Sequence, residues 1–132
     1  MRLFLVRHAE AVDAESDELR SLTAAGRAAA RALGERLAGK GVRPTAILTS
    51  PLRRARETGE ELATALGCET EPSDALAPGA TADGLTAALE GRGETVVAVG
   101  HQPDCGRIAA ALGGGVEPPF PPAGAVELQL GG

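Results

Sequence analysis

Three short apolar runs, each followed at once by polar side chains, constrain what this chain can fold into. The first is Leu3–Val6, which ends abruptly in Arg7-His8. The second lies at 45–49, and the third lies at 95–99, just before Gly100-His101. Such runs predict buried strands, and the change to polar residues marks their carboxyl ends. Because ligands of open α/β sheets bind at those ends, we expect the three segments to meet at one site.

Helices are predicted between these strands, which indicates the fold class. Strands that alternate with helices form a mainly parallel sheet with right-handed crossovers, and the alternating pattern of 125–130 is typical of an edge strand. We therefore expect a three-layer α/β/α fold. The predicted strands span about 2–6, 45–49, 68–71, 95–99 and 125–130, and the predicted helices span about 24–39, 51–66, 82–89 and 103–112.

Capping residues predict where the helices begin and end. Thr23 is a typical N-cap for the helix of about 24–39. Ser50 is expected to cap the next helix, with Pro51 as its first residue and Gly67 as its stop. Pro103 is expected to open the last helix.

Length, charge and composition exclude several classes of protein. The 132 residues are enough for one domain, expected to span 1–132 around one core. The net charge of −5 argues against a nucleic-acid partner, which normally requires a basic surface. No apolar run approaches the roughly twenty residues that cross a bilayer, and the N-terminus lacks a signal-peptide pattern. These features predict a cytoplasmic protein without a membrane partner, in which Cys68 and Cys105 are reduced.

Arginine and histidine side chains after buried strands predict a site for a phosphoryl group. The planar fork of arginine donates two parallel hydrogen bonds to phosphoryl oxygens and keeps its charge. A neutral imidazole attacks phosphorus near pH 7 without a separate base. His8 fits that role with Arg7 beside it. Arg54 lies on the first turn of a helix, where free N–H groups also favour an anion, and His101 completes the pocket.

The three segments together resemble the signature segments of the histidine phosphatase superfamily, and in particular its short SixA-like phosphohistidine phosphatases. The usual forms are Arg-His-Gly, Ser-x-Leu-x-Arg-Ala-x-x-Thr and Gly-His or Ser-His, which match 7–9, 50–58 and 100–101. The resemblance extends from the first strand to about residue 104. It implies a phosphoglycerate mutase-like fold with an antiparallel edge strand, and it implies a phosphatase that needs no metal or other cofactor.

Residue roles follow from the resemblance position by position. His8 matches the histidine that is phosphorylated during turnover, and Arg7 and Arg54 match the two arginines that bind the phosphate. His101 matches the second histidine, which hydrogen-bonds the phosphoryl oxygens. Thr58, like the serine that opens the second motif, matches a polar position that is chiefly structural in the family.

The sequence departs from the family pattern in two places. Ala9 replaces the usual glycine, which is harmless only if φ is negative there. Larger members carry a glutamate as general acid between the second and third motifs, where this chain has only Asp74. Asp74, Glu10 and Asp104 all remain open as proton donors. A substrate whose leaving group departs easily, such as phosphohistidine, fits the lack of a dedicated acid.

Several of these residues also have a plain structural interpretation. Arg53, Arg54 and Arg56 could form an exposed helix face with glutamate partners three or four residues on, and we accept this for Arg53 and Arg56. His101 could cap the helix that follows it. His101 and Cys105 are four residues apart, as metal ligands on a helix can be, but Pro103 places the helix start after His101 and disfavours a metal site.

Three loops are left to border the pocket, at 11–22, 72–80 and 113–122. None is long enough to form a closing lid, so the site is expected to be shallow and open. The acidic stretch 13–18 within the first loop is expected to be solvated, and it could repel small anionic substrates.

The favoured function is a two-step phosphatase, in which His8 takes the phosphoryl group and water then hydrolyses the phosphohistidine. Phosphohistidine on a protein is the first choice of substrate, and a small phosphate ester is the second. A mutase is disfavoured because a bisphosphate intermediate needs further cationic groups. A non-catalytic module that binds phosphate or a phosphoprotein is the contrasting class.

Overall fold

The computed structural model describes residues 1–131, which contain a five-stranded sheet. The strands are β1 (Arg2–Arg7), β2 (Ala46–Thr49), β3 (Thr70–Pro72), β4 (Thr95–Gly100) and β5 (Ala125–Gln129). The helices are α1 (Ala24–Gly39), α2 (Arg53–Leu66), α3 (Ala82–Leu89) and α4 (Asp104–Gly113). The strand order is β3-β2-β4-β1-β5, and every pair is parallel except β1 with β5. The expected parallel sheet with an antiparallel edge strand is confirmed.

Helices cover both faces of this sheet. Successive side chains of a strand point to opposite sides, so β1 supplies apolar side chains to both faces. Leu3 and Leu5 of β1 pack into a buried cluster with α3 and α4. Phe4 and Val6 pack on the other face with α1 and α2. The predicted three-layer α/β/α fold is therefore confirmed, and the carboxyl ends of β2, β4 and β1 lie side by side at one edge.

The start of α2 differs from the prediction. The helix begins at Arg53 rather than Pro51, and its N-cap is Leu52, whose side chain makes no capping hydrogen bond. The Ser50 hydroxyl does not cap α2, because it accepts the N–H of Leu52, which precedes the first helical residue, at 3.2 Å, and it also contacts His101 just after β4. Gly67 ends the helix with φ at 66°, as predicted, because this left-handed conformation favours glycine.

Other boundaries shift by one or two residues. The short strand expected at 68–71 is Thr70–Pro72, and α4 begins at Asp104 because Pro103 is its N-cap. The loops at 11–22 and 72–80 each contain a 3₁₀ segment, at Asp17–Leu19 and Asp74–Leu76. Among the helices of residues 1–131, none combines the length and the apolar composition that crossing a membrane requires.

Candidate active site

His8 lies just after β1 and has a defined proton position. Its Nδ1 is 2.8 Å from the carbonyl oxygen of Ala9, which can only accept a hydrogen bond. Nδ1 therefore carries the proton, and Nε2 keeps its lone pair. The imidazole is buried, with 8% of the residue exposed. The backbone thus prepares Nε2 to act as a nucleophile or as an acceptor.

Arg54 comes from the first turn of α2 and faces that lone pair. Its Nε donates to Nε2 of His8 at 3.3 Å. The other two nitrogens are held by Asp17, since Nη1 donates to the backbone oxygen at 2.7 Å and Nη2 to the carboxylate at 3.1 Å. A guanidinium that is nearly fully buried thus spans from the His8 ring to the loop after β1.

His101 follows β4 and makes its hydrogen bond through Nε2, which lies 2.7 Å from the Ser50 hydroxyl oxygen. That oxygen is buried and accepts the Leu52 N–H, and among residues 1–131 Nε2 is the only acceptor within reach of the hydroxyl proton, so Ser50 donates to Nε2. The proton of the His101 ring then resides on Nδ1, which is buried and has no partner among residues 1–131. The ring centres of His8 and His101 are 5.2 Å apart.

Arg7 is the half-buried last residue of β1. Its Nη1 donates to the carbonyl oxygen of Phe120 at 2.9 Å, which ties it to the loop before β5. Its Nε is buried and lacks a hydrogen-bond partner within residues 1–131. A buried donor without a partner is costly, so Arg7 Nε and His101 Nδ1 are both positions that a bound oxyanion would satisfy.

Both histidines are neutral at pH 7. Burial, with smaller contributions from the charges of Arg54 and Arg7, lowers the pKa of His8 from 6.5 to about 4 against the opposing hydrogen bond to Ala9. Burial and the charge of Arg54 likewise lower the pKa of His101 from 6.5 to about 4. Two uncharged imidazoles therefore lie among fixed positive charges, as the attack of a ring nitrogen on an anion requires.

Thr58 joins the first two motifs. Its hydroxyl accepts the Ala9 N–H at 3.0 Å and donates to the carbonyl oxygen of Arg54 at 2.8 Å. Ala9 itself is fully buried, and it is not strained: among the non-glycine residues of 1–131 only Ala123 has a positive φ. Replacement of the usual glycine by Ala9 therefore leaves the loop conformation intact.

The structural interpretation of Arg53 and Arg56 agrees with their contacts. Arg53 Nε donates to the Glu57 carboxylate at 3.1 Å, four residues along the helix, and Arg56 donates to the carbonyl oxygen of Pro51. Glu57 has a further role that the sequence did not indicate, because its other oxygen accepts the Leu22 N–H at 2.8 Å. Glu57 thereby fixes the base of the loop at 11–22.

The three acids left open as proton donors differ in their surroundings. Asp104 is nearly buried and accepts the N–H groups of Gly79 and Ala80. Glu10 is exposed and accepts the hydroxyl of Thr23 at 2.8 Å. Asp74 is exposed in its 3₁₀ segment. Asp104 and Glu10 are thus engaged in holding the backbone and the start of α1. Residues 1–131 contain no group of three or more metal-ligating side chains.

Asp17 and Arg20 contact the candidate site, and the sequence did not single them out within the loop at 11–22. The acidic stretch 13–18 was expected to be solvated, and the Asp17 side chain is indeed 60% exposed, but it also bonds Arg54, and Arg20 lies 3.6 Å from its second carboxylate oxygen. Both belong to the loop at 11–22, and neither lies in a motif or after a strand. No pattern in the sequence marks them.

The fold and the site together define an α/β protein in which two neutral histidines and two arginines lie near the carboxyl ends of parallel strands. Residues 3–80 match the family model of the histidine phosphatase superfamily (branch 1). The chain belongs to the histidine phosphatase superfamily and to its SixA-like branch, and it is a phosphatase.

Individual relatives agree with this assignment. The chain is 34% identical over 130 residues to the phosphohistidine phosphatase SixA of Escherichia coli (strain K12), covering 91% of this chain and 79% of that protein. It is 40% identical over 121 residues to an uncharacterized protein of Picosynechococcus sp., covering 85% and 73%. The structure of the protein histidine phosphatase SixA complexed with tungstate superposes with a TM-score of 0.92 at 30% identity, over 98% of this chain and 88% of that one.

Proposed function

We propose that this protein, acting as one domain without a metal, removes the phosphoryl group from phosphohistidine on another protein. The observation that carries the proposal is the Nε2 lone pair of His8, which is unprotonated, faces Arg54 Nε at 3.3 Å and belongs to a neutral ring. Arg7, Arg54 and His101 are the proposed ligands of the phosphoryl oxygens. The relative named a phosphohistidine phosphatase supports this choice of substrate.

In the first step, Nε2 of His8 attacks phosphorus, and the bond between phosphorus and the substrate imidazole breaks. If the second nitrogen of the substrate ring carries a proton from solvent, that ring leaves as neutral imidazole. The step then needs no acid from the protein, which agrees with the engagement of Asp104 and Glu10 elsewhere. Charge that develops on the equatorial oxygens is met by the guanidinium groups and the His101 Nδ1–H.

In the second step, water attacks the phosphorylated His8, and the bond between phosphorus and Nε2 breaks. The Nδ1 proton stays in its hydrogen bond to the Ala9 carbonyl oxygen throughout. The phosphorylated ring is therefore cationic, the Ala9 oxygen stabilises that charge, and the ring leaves as the neutral imidazole it was before. Phosphate departs with the hydroxyl of the water, and the proton released by the water goes to solvent.

The mechanism is tested by trapping the intermediate. Brief incubation with a labelled phosphohistidine protein should leave a phosphoenzyme that is acid-labile and alkali-stable, and His8→Ala should lose label and activity together. Vanadate or tungstate should inhibit competitively, and a chelator should not inhibit. An alkali-labile acyl phosphate, or full activity in His8→Ala, would contradict the mechanism.

The substrate is tested by comparing kcat/KM on a phosphohistidine-bearing domain with values on sugar phosphates and phosphoglycerate. The domain should be the better substrate, because the short loops around the site predict an open site, which admits a side chain presented by another protein. A small ester processed near the diffusional range of about 10⁷ M⁻¹s⁻¹, with phosphohistidine proteins left intact, would overturn the choice of substrate but not the chemistry.

A further inference from the structure

Asp17 puts a negative charge at the mouth of the site. Its backbone oxygen and its carboxylate accept hydrogen bonds from Nη1 and Nη2 of Arg54, at 2.7 and 3.1 Å. The Arg54 side chain is 6% exposed, whereas that of Asp17 is 60% exposed. The carboxylate therefore lies on the solvent side of the guanidinium whose other edge faces His8.

The fold holds this carboxylate in place. The base of its loop is closed by the hydrogen bond from Val12 N–H to the Ser21 carbonyl oxygen at 2.8 Å and by the bond from Leu22 to Glu57. Arg20 holds the loop from within, since its Nε donates to the Val12 carbonyl oxygen at 2.9 Å and its Nη1 approaches Asp17. Asp17 is thus fixed between two guanidinium groups.

Asp17 acts through its charge and not as a proton donor. Its hydrogen bond to Arg54 lowers the pKa of its carboxyl group below the usual range, so the group stays ionised when the enzyme works. A phosphoryl group placed against His8 and Arg54 fills the buried part of the site. A substrate group attached to that phosphoryl group and extending toward solvent on the Arg54 side comes close to the exposed carboxylate of Asp17.

We propose that Asp17 determines substrate specificity by repelling compounds that carry a second negative charge near the phosphoryl group. A neutral or cationic neighbour of phosphorus, such as the imidazole of phosphohistidine, escapes this penalty, whereas a carboxylate or a second phosphate does not. This inference rests on the proposed phosphatase site and names a residue that selects among its substrates.

Three aryl phosphates test the inference: 4-nitrophenyl phosphate, an analogue with a carboxylate on the ring, and an analogue with a trimethylammonium group. Asp17→Asn keeps an oxygen that accepts from Arg54 and removes only the charge. Glu18→Gln is the matched control, because Glu18 is the exposed neighbour in the same 3₁₀ segment. Comparing the ratios of kcat/KM between proteins cancels the intrinsic reactivity of each ester.

Asp17→Asn should reduce the preference for the neutral over the carboxylated ester by about three- to fivefold, the range of a partly exposed charge pair. It should also reduce the preference for the cationic over the neutral ester. Both changes should become smaller as the salt concentration rises. Glu18→Gln should leave the ratios within about twofold. Unchanged ratios in Asp17→Asn, an equal loss on all three esters, or the same shift in Glu18→Gln would overturn the inference.

Binding of the matching aryl phosphonates, measured by calorimetry, repeats the comparison without turnover. The same charge preference is expected there, with the same loss in Asp17→Asn. A wild-type protein that binds the phosphonates with this preference but hydrolyses none of the esters would contradict the proposed function and leave the role of Asp17 standing. Equal binding of all three phosphonates by the wild type would overturn that role.

Discussion

The Ser50 hydroxyl oxygen lies 2.7 Å from Nε2 of His101, and this contact decides which nitrogen of the His101 ring faces the site with a proton. The serine follows β2, and the histidine follows β4, the neighbouring strand in the sheet. Because the hydroxyl accepts from Leu52 and donates to Nε2, Nδ1–H is left as a donor for a phosphoryl oxygen. A position expected to be chiefly structural therefore sets the tautomer of a candidate catalytic group.

Ser50→Ala should lower kcat/KM by about tenfold or more, because His101 can then place its proton on either nitrogen and loses a buried hydrogen bond. Steady-state kinetics with 4-nitrophenyl phosphate measure the change. Ser73→Ala is the control, since that hydroxyl caps the 3₁₀ segment at 74–76 and does not contact a histidine. Equal activity of Ser50→Ala and the wild type would show that the tautomer does not matter.

Arg54→Ala should cost on the order of 3 kcal/mol or more in transition-state stabilisation, as loss of a preorganised donor does, which is a fall of over a hundredfold in kcat/KM. Arg53→Ala, one residue earlier, should be nearly silent, because its side chain is half exposed and pairs with Glu57. The two variants are compared by kcat/KM and by thermal unfolding. The opposite ranking of the two would show that the assignment of Arg54 is wrong.

Ala9→Gly should leave kcat/KM within about twofold, since Ala9 already has a negative φ and glycine offers the loop no needed freedom. The free energy of unfolding should fall by about 1 kcal/mol, because the variant loses a buried methyl group and gains freedom in the unfolded chain. Urea unfolding measures the second effect. A gain in activity of tenfold would show that Ala9 restrains the site.

Acid should destabilise the protein through its two buried histidines. Each has a pKa of about 4 when folded and 6.5 when unfolded, so the unfolded chain takes up protons first as the pH falls. The contribution is fully present above about pH 6.5 and is lost progressively toward pH 4, by up to about 3 kcal/mol per histidine.

Urea unfolding at pH 7 and pH 5 tests this pH dependence. In the double variant His8→Gln/His101→Gln, the free energy of unfolding should change less between pH 7 and pH 5 than it does in the wild type, since glutamine does not titrate. Identical slopes in the two proteins would assign the acid sensitivity to other groups.

Much of the fold could be predicted because its signals are local. Leu3–Val6 is an apolar run of strand length, and Thr23 caps α1 by accepting from the Gly26 N–H, as its side chain predicts. Gly67 ends α2 because it adopts a left-handed backbone conformation, which glycine favours and which can be predicted from the residue type. The predicted start of α2 was wrong by two residues, because Leu52 has an extended backbone conformation, and the Ser50 hydroxyl contacts His101, 51 positions away.

The sequence by itself determined the order of strands and helices, the family, and the four candidate residues Arg7, His8, Arg54 and His101, since each of these depends on a short motif or a local period. The tertiary structure alone decided the proton on His101, the link through Thr58 and the placement of Asp17 on Arg54. These depend on atoms from segments that lie 37 to 51 residues apart in the sequence. Hydrogen bonds of that kind depend on distances of a few tenths of an ångström, which are set only when the strands and helices pack together.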